Sequence, residues 1–86
     1  MNFVDSHVNK AHRFSLGVEI VSGRCYLAIA VANRLAGYEE YYEISRSMHD
    51  AYPSNVGELV AFAQRCSRRQ CDDLLFLQPG ADRGIA

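Results

Sequence analysis

The 86-residue sequence predicts an α+β fold: a single β-β-β-α-β domain, with a mainly antiparallel four-stranded sheet and one main helix packed on one face. Three observations predict it. Apolar and polar residues alternate with period two on both sides of Ser22-Gly23, as in a half-buried hairpin. Val56, Leu59, Phe62, Ala63 and Cys66 recur at helical spacing. A last apolar run, Leu74-Leu75-Phe76-Leu77, ends at Pro79-Gly80. The expected organisation is a flexible N-terminal arm over 1–12, one domain over 13–80 and a flexible tail over 81–86.

Residues 1–12 are polar and show no period, hence the arm. In the first strand Phe14, Leu16, Val18 and Ile20 alternate with Arg13, Ser15, Gly17 and Glu19. A two-residue turn at Ser22-Gly23 would pair Leu16 with Ile29, Val18 with Leu27 and Ile20 with Cys25, apolar against apolar throughout. Asn33 to Ala36 reads as the next turn and Tyr38 to Ile44 as the third strand, with Val31 facing Tyr38, Leu27 facing Tyr42 and Cys25 facing Ile44. Glu40 then falls on the core side opposite Ile29, which calls for a bulge, an arginine partner or an edge position.

Ser45 to Tyr52 suits a short helical turn that Pro53 ends. Asn55 and Glu58 have capping-box spacing, and Arg65, Arg68 and Arg69 complement the dipole at the other end of the helix. Leu74 to Leu77 is apolar on both alternating sets, as in a strand covered twice. With a helix between, it should run parallel to the third strand through a right-handed crossover.

One helix covers one side of such a sheet. The other side would carry Gly17, Tyr26, Ala28, Ala30, Glu39, Tyr41, Glu43, Leu74 and Phe76, with Ser15 and Glu19 beside them. Small residues in the centre permit close approach, and tyrosines are enriched at interfaces. These residues are the candidate interface of a small cytoplasmic protein–protein interaction module, regulator-like or inhibitor-like, acting as a homodimer or on another protein. The alternative is a small-molecule-binding or catalytic protein whose site forms at the dimer interface. Isolated surface alanines beside a solvated acidic rim are the plainer explanation of the same pattern.

Other features exclude more than they assign. Nine basic against ten acidic residues give a net charge of −1, without the basic excess of a nucleic-acid binder. The longest apolar run, Tyr26 to Ala32, is far short of the roughly 20 residues of a membrane span. Met1 to His12 lacks the apolar core of a secretion signal. The three cysteines form no Cys-x-x-Cys pair, which suits reduced thiols in the cytoplasm. Cys71, near the arginines, is the one cysteine whose surroundings would lower a thiol pKa toward a nucleophile. His7, His12 and His49 have no metal-ligand spacing with any cysteine. Glu39 and Glu40 are adjacent, so on a strand they point to opposite faces. Glu39 and Glu43 share a face but lie about 13 Å apart, too far for one small site. No phosphate loop, nucleophile elbow or zinc-protease motif occurs. The sequence thus predicts no catalytic residues, metal or cofactor, and neither nucleic acid nor membrane as partner. A β-β-β-α-β order hosts many unrelated roles and by itself assigns none.

Overall fold

The computed structural model describes residues 1–32, 37–78 and 83. Four strands, β1 (Phe3–Asn9), β2 (Phe14–Glu19), β3 (Arg24–Ala32) and β4 (Gly37–Ile44), form one antiparallel sheet in the order β1-β2-β3-β4. Helices α1 (Arg46–Asp50) and α2 (Val56–Ser67) follow and pack over β3, and a 3-10 turn spans Asp72–Leu74. The α+β class, the four-stranded antiparallel sheet and the single main helix are as the sequence predicts.

The fourth strand, however, comes from the other end of the chain. The segment read as a flexible arm supplies β1, which pairs with β2 along the edge of the sheet. Its largely exposed side chains carry too few apolar residues, Phe3, Val4 and Val8, to announce a strand. Its order comes from contacts distant in sequence: Ile20 N–H donates to Asn2 C=O at 2.9 Å, and Asn2 N–H donates to the Glu19 carboxylate at 2.8 Å.

Leu74 to Leu77 is not a parallel strand. The 3-10 turn ends at Leu74, Leu75 makes an isolated antiparallel bridge to Tyr42, and Phe76 N–H donates to Tyr41 C=O at 2.9 Å. The run straddles the outer edge of β4. Leu74 and Leu75 pack on the core, while Phe76 joins the opposite face. It is apolar on both sides because it wraps an edge, not because it lies between two layers.

The β2–β3 register is shifted by two from the expected one, with Leu16 opposite Leu27, Val18 opposite Cys25 and Glu19 opposite Arg24. The cause is the Glu19 side chain, which accepts the amides of Val21 at 3.0 Å and Ser22 at 2.8 Å and holds residues 20–23 as a longer loop. Ile20, expected opposite Cys25, lies in that loop and is 56 % exposed. Gly23, at φ +74°, still supplies the left-handed residue that closes the turn. A shift of two preserves which face each strand side chain takes, so Phe14, Leu16, Leu27 and Ile29 stay in the core while Ile20 leaves it.

The β3–β4 register matches the expected pairs: Val31 with Tyr38, Leu27 with Tyr42 and Cys25 with Ile44. The turn expected at 33–36 lies outside the described residues, as do Pro79, Gly80 and all of the expected tail except Arg83. The core under the helices comprises Phe14, Leu16, Leu27, Ile29, Val31, Tyr42 and Ile44 from the sheet, and Leu59, Phe62, Ala63 and Cys66 from α2. Ser45 caps α1 by accepting Met48 N–H at 3.1 Å. Asn55 precedes α2 without capping it through its side chain; its Nδ2 donates instead to Met48 C=O at 2.9 Å and ties the two helices together.

The core-side Glu40 finds an arginine, though from the segment expected to be a loose tail. Arg83 donates to both Glu40 oxygens at 2.8 and 3.0 Å and to both Asp72 oxygens at 2.6 and 2.8 Å. The Tyr42 hydroxyl adds a donor to Glu40 at 2.8 Å. Burial works against the charged carboxylate, but these donors outweigh it and hold Glu40 below the usual carboxylate range.

Candidate functional site: the sheet face away from the helices

Cross-strand partners share a face, so the registers define the surface opposite the helices. It carries Phe3, Asp5 and Val8 from β1, Ser15, Gly17 and Glu19 from β2, Tyr26, Ala28 and Ala30 from β3, and Glu39, Tyr41 and Glu43 from β4. The expected candidates lie here with one exception: Leu74 packs on the helix-side core. Glu19, expected at a wet rim, is buried at the hairpin. Glu43 remains half-buried, paired with Arg24 at 3.0 Å.

The face divides into two halves. One is closed by the chain's own aromatic rings. Phe3 stacks on Tyr41 at a centroid distance of 3.8 Å and meets the edges of Tyr26 and Phe76, each at 5.4 Å. The Arg24 guanidinium lies 4.3 Å from the Phe76 centroid. Tyr26 lies flat across Gly17, where a Cβ would collide with the Tyr26 hydroxyl oxygen and the Val4 carbonyl oxygen. A glycine is therefore required at 17 for the ring to lie down. The small central residue serves packing inside the chain, not approach by another surface.

The other half is open. Asp5, Val8, Lys10, Arg13, Ser15, Ala28, Ala30 and Glu39 line a depression of about 410 Å³. Its floor is small and apolar, with Ala30 and Val8 exposed. Its rim carries both signs of charge. The Tyr26 hydroxyl donates to Asp5 at 2.5 Å, so burial and this carboxylate together raise its pKa far above the usual tyrosine value. Burial and the nearby Asp5 charge push the Glu39 carboxyl upward, partly offset by a hydrogen bond from Tyr41. Tyr41 is raised in turn by burial and by Glu39. Both phenols thus stay protonated and act as donors to carboxylates.

Phe3, Asp5, Val8 and Lys10 escaped sequence reasoning because they belong to the segment read as an arm. The only local hint was Phe3-Val4 with Val8, too sparse to score as alternation.

The other candidates resolve as structure. Cys25, Cys66 and Cys71 are free thiols and all buried. Burial, with Cys71 beside it, pushes the Cys66 thiol up, the opposite of an activated nucleophile. Arg65 lies over the Phe62 ring at 5.6 Å. Among the described residues no cluster of three metal-ligating side chains occurs, and no helix is long and apolar enough to cross a membrane. Comparison of the chain with protein-family models, with curated proteins and with solved structures gave no match.

Proposed function

We propose that the chain is a small interaction module, regulator-like or inhibitor-like, that associates with a second copy of itself through the open half of this face. The observation that carries the reading is the small apolar floor, with Ala30 and Val8 exposed above the buried Ala28, between rim charges of both signs. A two-fold contact centred on that floor can set Lys10 and Arg13 of one copy against Asp5 and Glu39 of the other, so the rim is self-complementary in charge. Small floor residues let the backbones approach, and a domain of this length gains from burying more surface, since alone it buries only about 60–65 % of what its unfolded chain exposes. Three unpaired thiols suit a reducing compartment, which supports a cytoplasmic location.

Light scattering at tens of micromolar tests the proposal. The native chain should have about twice its 9.6 kDa mass, and Ala30→Arg, at an exposed position, should be a folded monomer. A native mass of 9.6 kDa at these concentrations overturns self-association. An unchanged dimer in Ala30→Arg overturns the choice of surface.

A further inference from the structure

We propose that Ser6 is a nucleophile activated by His49 and Asp50, and that the chain has acyl-transfer activity toward small carboxylic esters. The site lies on the helix side of β1, away from the depression. Ser6 sits where the β1–β2 register shifts, between the pairs Asp5–Gly17 and His7–Leu16. It is the extra residue of a β-bulge, a device that re-aims a side chain and recurs beside active sites. The bulge points an exposed Ser6 Oγ at His49 Nε2, 3.0 Å away. His49 Nδ1 lies 2.7 Å from Asp50 Oδ1. With the Nδ1 proton directed at that carboxylate, Nε2 is left to accept the serine O–H, the relation of nucleophile, base and orienting acid that acyl transfer uses.

The surroundings suit the role. The His49 imidazole is 11 % exposed while the Ser6 side chain faces solvent, so the base is shielded and the nucleophile is reachable. His7 packs on the same side, with ring centroids 5.8 Å from His49 and 5.0 Å from Tyr52. Val4, 48 % exposed on this face, offers an apolar contact for a short acyl chain. β1 is an edge strand, and amides on the outer side of an edge strand are the kind of donor a developing oxyanion needs.

In the reaction Ser6 Oγ forms a bond to the ester carbonyl carbon and passes its proton to His49 Nε2. The alkoxy C–O bond then breaks, and the leaving alcohol takes that proton. Water attacks the acyl-serine by the same route in reverse, releasing the carboxylic acid and restoring Ser6. Ser6 and His49 are the catalytic residues; Asp50 positions the imidazole.

A fluorophosphonate probe and p-nitrophenyl acetate, each applied to the full chain, test this. Peptide mass spectrometry should find the phosphonyl adduct on Ser6. Ester hydrolysis should show a burst, be lost in Ser6→Ala, and fall about 10²-fold or more in His49→Gln. Asp50→Asn should slow labelling, and Asp50→Glu should restore part of the rate. Circular dichroism confirms that each variant is folded. Ser6→Ala and Asp50→Asn alter exposed residues and remain informative if His49→Gln unfolds. A native chain left unmodified, an adduct on a tyrosine instead of Ser6, or hydrolysis that persists in Ser6→Ala overturns the proposal.

Discussion

Glu19 and Glu40 are both buried carboxylates, each stabilised by a different kind of donor. Glu19 accepts the backbone amide of Asn2, a hydrogen bond from the Ser22 side chain and the amides of Val21 and Ser22, which together lower its pKa from 4.5 to about 2. A depressed carboxylate contributes stability that is complete above its unfolded pKa and fades as pH falls through its folded value. Glu19 should therefore support the fold above about pH 4.5 and lose that contribution toward pH 2. Glu19→Gln, followed by urea unfolding from pH 6 to pH 2, should lose less stability across that range than the native chain. Coincident slopes would show that Glu19 does not govern the acid limb. Glu40 depends on one cation, since its own side chain is 7 % exposed and that of Arg83 is 10 %. Arg83→Met should cost about 3–5 kcal/mol, because it leaves a buried charge without its partner. The double variant Glu40→Leu with Arg83→Met should recover most of that loss; if it is no more stable than Arg83→Met alone, the stranded charge is not the cause.

Among the elements, β1 is held by few side chains and β3 by many. Phe3 carries three ring contacts, each of a kind worth about 0.5–1.5 kcal/mol, and the ring is partly exposed. Phe3→Ala should cost about 1–3 kcal/mol and selectively speed amide exchange along β1 and at residues 20–23, which share Glu19 with it. Equal acceleration in β3 would mean that β1 does not open on its own. Leu27, fully buried beneath the helices, is the opposite case. Leu27→Ala should cost roughly 2–5 kcal/mol by denaturant titration. A loss under 1 kcal/mol would contradict the assignment of faces. The two edge strands each limit exposed edge pairing: β1 has a bulge at Ser6, and β4 has Leu75 and Phe76 along part of its outer side.

For the whole molecule, a self-associating chain should be stabilised by mass action, so its melting temperature should rise with concentration. Scanning calorimetry over a hundredfold range of concentration checks this, and Ala30→Arg should abolish the dependence. A melting temperature independent of concentration in the native chain would leave the open face to another partner. The sequence by itself determined the three strands read over Arg13 to Ile20, Arg24 to Ala32 and Tyr38 to Ile44, to within a residue at each end, the α2 stripe, the β3–β4 register and which face the side chains of β2, β3 and β4 take. These follow from alternation and helical period, which record burial at each position and need no partner to be read. Only the tertiary structure decided that Phe3–Asn9 is a strand, that Leu74 to Leu77 wraps an edge, and that Arg83 reaches back to Glu40. It also decided that half of the expected interface is closed by Phe3, Tyr26, Tyr41 and Phe76, and that Ser6 meets His49. Each of these joins residues distant in the chain through a few specific contacts. Such contacts leave no period in the sequence, because a single aromatic ring or ion pair stabilises a segment without repeating along it.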